Sequence, residues 1–251
     1  MDKEQKWLAQ RLGKITASEL GNITSASGKI IDGNISYIRA KRFERRHGFS
    51  HSVSNRAMEI GNEQEPMIFE WCKKNFARND IVYSKDLPEI PFWMAVDCPV
   101  GASPDAFSPD WTEVYEFKTL VGATAIEFFA DDYTPYEEKK LAVWKDHGDQ
   151  LLGQFISNSA VKTIWVIKYI YQDDDIMQDI DSPLEYWRGT VFRFDRKDYE
   201  QSILEMKERI RLFDAMIDAP VNPMAFKSGR WTLVNGKLVE IPEEPKEKKK
   251  K

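Results

Sequence analysis

The chain has 251 residues, 42% hydrophobic and 12% aromatic, which is ample for a core in one large domain or two small ones. Its 36 basic and 41 acidic residues leave a formal charge of −5, which excludes a protein that coats DNA non-specifically and confines any DNA contact to a local basic surface. Cys72 and Cys98 lie far apart in no metal spacing, Met1 to Lys14 carry no apolar signal segment, and no apolar run reaches the roughly eighteen residues of a membrane span. A soluble protein of the reducing cytoplasm, without membrane attachment, is expected.

In chain order, a short helix is expected around Lys6 to Leu12, with a break at Gly13 and a second helix opening at Thr16, where Thr16 and Glu19 form a capping box. The polar stretch Thr24 to Asn34 reads as a surface loop. A helix from Ser36 carries Tyr37, Ala40, Lys41, Phe43 and Glu44 at helical spacing and ends at His47-Gly48. Ser54 opens a longer helix toward Phe69 and Trp71, with Pro66 expected to kink or restart it. Strands follow near 81–83, 92–96, 101–106 and 114–118. Residues 119–149 read as a long charged insertion, containing Asp131, Asp132 and Tyr133, that ends in a helix bearing Gln150, Leu151, Gln154 and Phe155. Thr163 to Tyr171 is expected to be a strand buried on both faces and Val191 to Phe194 a further strand, with Asp173 to Asp175 in an exposed turn. Tyr199, Ile203, Met206, Ile210, Phe213 and Ile217 mark a final amphipathic helix. The expected organisation is one domain over 1–220 and a C-terminal extension over 221–251, ending in a disordered tail at Lys246 to Lys251.

The chemistry concentrates where Ser103-Pro104-Asp105 is followed by Glu116-Phe117-Lys118. On a strand, residues two apart share a face, so Glu116 and Lys118 look together at whatever Asp105 reaches. Two carboxylates suit a hard cation such as Mg²⁺, which keeps waters and takes substrate phosphate oxygens, and a nearby amine can orient or deprotonate the attacking water. Spacing alone supports a metal-dependent phosphodiesterase; an ordinary polar edge strand fits the same spacing.

The wider chain resembles the phage lambda exonuclease family of the restriction-endonuclease-like PD-(D/E)XK superfamily. The resemblance runs in order through Trp7, Arg11-Leu12-Gly13, Ile15 to Glu19, Ile35-Ser36-Tyr37, Gly61 with Glu65, Ser103-Pro104-Asp105, Glu116-Phe117-Lys118 and Gln150, and covers about residues 5–170. It implies an α/β fold with a mixed central sheet flanked by helices. It also implies Asp105, Glu116 and the Phe117 carbonyl as Mg²⁺ ligands, with Mn²⁺ as a substitute, and Lys118 beside the water. Glu65 falls near a second metal position, and Gln150, with Gln154 as its rival, on an active-site glutamine. Arg11, Ser18 and Ser103 match positions that bind a 5′-phosphate, and a guanidinium, hydroxyls and a helix N-terminus suit an anion.

The implied activity is 5′→3′ digestion of linear double-stranded DNA to mononucleotides, leaving 3′ single strands for recombination. The implied assembly is a homotrimeric ring with a phage-type single-strand annealing protein as partner. An endonuclease on the same core and a non-catalytic DNA-end-binding protein remain as alternatives. Arg39, Lys41, Arg42, Arg45 and Arg46 form a candidate contact with the duplex backbone, or else a solvated helix face. Trp7 reads as a core anchor. His47 and His51 are discounted as zinc ligands because Gly48 breaks the helix between them.

Overall fold

The computed structural model describes residues 1–25, 28–50, 56–76, 78–130, 134–170 and 185–242. Ser54, His51, Asp131 to Tyr133, Tyr171, Asp173 to Asp175 and the lysine tail lie outside these residues.

Helix α1 (Lys3–Arg11) opens on Asp2, whose carboxylate accepts from the Gln5 N–H, and leads into strand β1 (Ile15–Thr16). The expected helix at Thr16 is a six-residue 3₁₀ helix, Ala17–Asn22. The Thr16–Glu19 pairing is nevertheless made, with the Glu19 carboxylate accepting from the Thr16 N–H at 3.3 Å and hydroxyl at 2.9 Å. Helix α2 (Asp32–His47) starts a turn earlier than Ser36 and ends on Gly48 in the left-handed conformation, which a glycine adopts at little cost. Helix α3 (Arg56–Asn75) runs through Pro66 as one element.

Strands β2 (Val82–Tyr83), β5 (Ala106–Phe107), β6 (Glu113–Leu120), β7 (Thr163–Ile170) and β8 (Gly189–Asp195) form a five-stranded sheet in the order β2-β5-β6-β7-β8. Only β6 and β7 run parallel, so the sheet is mixed. Strands β3 (Trp93–Met94) and β4 (Val100–Ala102) join β1 in a separate sheet. The single strand expected over 101–106 is therefore two, broken at Ser103-Pro104-Asp105. Proline lacks the N–H a central ladder needs, and the break lets Asp105 leave one sheet as the chain enters the other.

Residues 119–149 are not an insertion. A parallel strand pair needs a crossover connection, and helices α4 (Gly122–Ala130) and α5 (Tyr136–Ser157) provide it between β6 and β7. Strand β6 alternates: Tyr115 and Phe117 pack with Ile68, Phe69, Trp71 and Cys72 of α3, whereas Val114 joins the larger core on the other side with Leu151, Leu152 and Phe155 of α5. Helix α6 (Glu200–Asp218) buries Ile203, Met206, Ile210, Phe213 and Ile217 in that core, as its spacing predicts. After α6, Phe226 is in the same core, and the hairpin β9 (Arg230–Val234) and β10 (Lys237–Ile241) packs Trp231, Leu233 and Leu238 against it.

Candidate active site

The register of β5 against β6 pairs Ala106 with Tyr115, and one residue further along it sets Asp105 opposite Glu116. Ser84 fixes the backbone there, donating its N–H to the Asp105 carbonyl at 2.9 Å and its hydroxyl to the Pro104 carbonyl at 2.5 Å. The Asp105 carboxylate accepts from the Phe117 N–H at 2.7 Å. Burial, then the negative charges of Glu116 and Glu65, push the Asp105 carboxyl well above the usual carboxylate range.

Glu116 is 3% exposed and is the hub. Lys118 donates to its Oε1 at 2.7 Å and to Gln150 Oε1 at 3.0 Å, and the amides of both Gln150 and Gln154 donate to the Glu116 carboxylate. The choice between Gln150 and Gln154 is thus no choice, since one turn of α5 presents both. Burial pulls the Lys118 pKa down, but Glu116, Asp105 and Glu65 outweigh it and leave the amine above its ordinary value, firmly protonated. Glu65, on α3, accepts from the Tyr83 hydroxyl at 3.2 Å and pairs with Lys85 at 2.5 Å.

Among the described residues no group of three or more His, Cys, Asp and Glu side chains is arranged to hold a metal ion unaided. The set that fits is mixed: Asp105, Glu116 and the Phe117 carbonyl, with waters and phosphate oxygens completing the shell of a hard divalent cation. Two observations support the fit. Asp105 lies with Glu116 and Glu65, and their repulsion together with burial outweighs the amine of Lys118 that acts on it; and the buried Gln154 Oε1 has no donor among the described residues, which a metal-bound water would supply.

A second constellation lies at the start of the chain. Arg11 donates to the Ser18 hydroxyl at 3.3 Å, Ser18 contacts the Thr16 hydroxyl at 3.3 Å, and Ser103 accepts from the Trp7 indole N–H at 2.7 Å. The Arg11 guanidinium stacks over the Trp7 ring at 4.2 Å. Arg11, Ser18 and Ser103 are therefore gathered, and Trp7, assigned to the core by sequence, is the piece that links them. Its four-residue separation from Arg11 on one helix was the available signal. The helix-dipole argument for this pocket fails, because a 3₁₀ helix stands where an α-helix was expected.

The basic stretch of α2 is mostly not a DNA face. Lys41 is buried between Glu19 at 3.0 Å and Glu44 at 2.9 Å. Arg42 donates to the carbonyls of Met216, Ile217 and Val221, and Arg45 pairs with Asp214 and Asp218. Of the five, Arg39 and Arg46 stay exposed and outside these networks. No described helix is long and apolar enough to cross a membrane.

No protein-family model and no curated protein matches the chain. Solved structures do. An alkaline exonuclease (LHK-Exo) from Laribacter hongkongensis superposes with a TM-score of 0.61 at 20% identity, over 85% of this chain and 92% of that one. LHK-Exo in complex with dAMP gives 0.58 at 21% identity over the same shares. A phage-related exonuclease from Haemophilus somnus 129PT gives 0.51 at 15% identity, over 81% and 95%. The chain thus shares the mixed α/β fold, a central sheet flanked by helices, of these exonucleases.

Proposed function

We propose that the chain is a divalent-metal-dependent deoxyribonuclease of the phage lambda exonuclease type, degrading linear double-stranded DNA from its 5′ ends to mononucleotides and leaving 3′ single strands for recombination. The observation that carries this reading is the convergence of Asp105, Glu116, Lys118 and Gln150 on one face of the sheet, at a break between strands that keeps Asp105 accessible to a second carboxylate. Asp105, Glu116 and the Phe117 carbonyl would hold Mg²⁺, or Mn²⁺ in its place. The cation supplies a water of lowered pKa and stabilises charge on the phosphoryl oxygen.

The residues of the chain do the rest. Lys118, kept protonated by its carboxylate neighbours, donates hydrogen bonds to the water and the phosphate rather than taking a proton. Gln150 and Gln154 hold Glu116 in place, and Tyr83 and Lys85 hold Glu65 for a second cation position. Arg11, Ser18 and Ser103, assembled around Trp7, receive the 5′-phosphate of the end being shortened. The same reading makes residues 1–220 the catalytic domain, a homotrimer the working form, a phage-type single-strand annealing protein the partner, and the cytoplasm the setting.

The test is nucleotide release from a linear duplex by the unmodified protein and by Asp105→Ala, Glu116→Ala and Lys118→Ala. Each substitution is expected to lower the rate by about a thousandfold or more while leaving end binding in place. A wild-type rate in any of the three overturns the site.

A further inference from the structure

Helix α5 lays three polar side chains along β6 and β7, and the outermost pair belongs to no step of the proposed reaction. Gln154 and Gln150 meet Glu116 and Lys118, and one turn nearer the start of the helix His147 meets Lys168 of β7, with Nε2 and Nζ 2.7 Å apart. Residues at 147, 150 and 154 share one helical stripe. Lys168 is the register partner of Lys118, so the two amines project side by side from neighbouring strands on the same face.

Their surroundings differ. The Lys118 charge is met by Glu116 at 2.7 Å. Lys168, only 6% exposed, has no ion pair among the described residues. Among the described residues the acid acting on it is Asp146, exposed on α5, against the repulsion of Lys118. Burial, joined by that repulsion, lowers its pKa to about 8, and burial, with the charges of Lys168 and Lys118, lowers that of His147 to about 3. The imidazole is therefore neutral and accepts one ammonium proton, while the remaining donors meet no carboxylate among the described residues. A buried lysine without an acid is costly unless a ligand completes it.

We propose that Lys168, held by His147, is a substrate-binding residue that takes a backbone phosphate of the DNA strand flanking the phosphate at Asp105 and Glu116. The anion that the described residues do not offer is then delivered by the substrate, and the neighbouring amines Lys118 and Lys168 read two phosphates in succession. The inference rests on the nuclease reading given above. Lys168 is the single charged residue of strand Thr163–Ile170, set in an apolar and aromatic run from Ile164 onward, which is where such a residue stands out in the sequence.

The experiment is binding of a 5′-phosphorylated duplex, without divalent cation to prevent cleavage, followed by fluorescence anisotropy across a series of salt concentrations, for the unmodified protein, Lys168→Met, Lys168→Arg and His147→Gln. Lys168→Met is expected to weaken binding roughly tenfold and to flatten the plot of log affinity against log salt by about 0.9, the contribution of one phosphate contact. Lys168→Arg and His147→Gln should keep the slope, since both retain the charge. Lys168→Gln, which keeps a hydrogen-bonding group without the charge, gives the same reading should Lys168→Met not fold.

A merely structural tether between α5 and β7 predicts an unchanged slope in the neutral variants, with any loss falling on the turnover rate through Gln150; that result overturns the proposal. If the unmodified protein neither binds nor cuts the duplex, it is the nuclease reading that fails.

Discussion

Asp105 illustrates how a site of this kind trades stability for chemistry. Its carboxyl is desolvated and faces Glu116 and Glu65, which raises its folded-state pKa above the unfolded value. The sign follows: the folded protein binds this proton more readily than the unfolded chain, so the carboxyl stabilises less as pH rises through the interval between the two values. In chelator at about pH 8, Asp105→Asn is expected to melt above the unmodified protein, and Mg²⁺ should raise the melting temperature of the unmodified protein more than that of the variant. A variant that melts lower and gains as much from Mg²⁺ would contradict this electrostatic account. At the other constellation, Trp7→Ala removes both the stacking surface of Arg11 and the donor to Ser103. The unmodified protein should digest 5′-phosphorylated ends faster than 5′-hydroxyl ends, and the variant should lose most of that preference, by a factor of roughly ten. Equal rates on both ends for the unmodified protein would remove the phosphate pocket.

At the scale of elements, the site depends on a close approach that only glycine permits. Gly153 of α5 lies over the 3₁₀ helix that carries Ser18, and a Cβ there would stand 2.6 Å from the Cβ of Ala17. Gly153→Ala is expected to cost about 1–3 kcal/mol in urea unfolding, with a shifted midpoint and an unchanged slope. Sequence pattern made the α6 stripe, the β7 run and the Glu116–Lys118 face legible, because each is set by local periodicity. The crossover was hidden, since Glu137 to Lys140 reads as part of a charged insertion, whereas α5 is anchored under the parallel pair by Leu151, Leu152 and Phe155 further along the helix. Lys41 and Arg42 were misread for a similar reason: their partners, Glu19 and the carbonyls that end α6, are distant in sequence, and only the fold turns a basic run into buried ion pairs and caps. The coupling of His147 to Lys168 is likewise fixed by strand register, which no local pattern encodes.

For the whole molecule, the charge of −5 disfavours a general electrostatic hold on DNA, and the internal pairing of Lys41, Arg42 and Arg45 removes most of the α2 basic run as a DNA face. On the proposed reading, enclosure by several copies would supply by topology what a single surface lacks in affinity. Light scattering at working concentration is expected to give three times the chain mass of 29.2 kDa, with digestion that persists after excess competitor DNA is added. A stable monomer with strictly distributive digestion would remove the ring and leave the metal site untouched. The central claim, a metal-dependent nuclease acting at duplex ends, is tested most directly by offering the purified protein a linear duplex and a covalently closed circle of the same sequence, with Mg²⁺ or with chelator. The account predicts release of mononucleotides from the linear duplex in Mg²⁺ alone and an intact circle throughout; cleavage of the circle at a comparable rate, or no Mg²⁺-dependent release from the linear duplex, would contradict it.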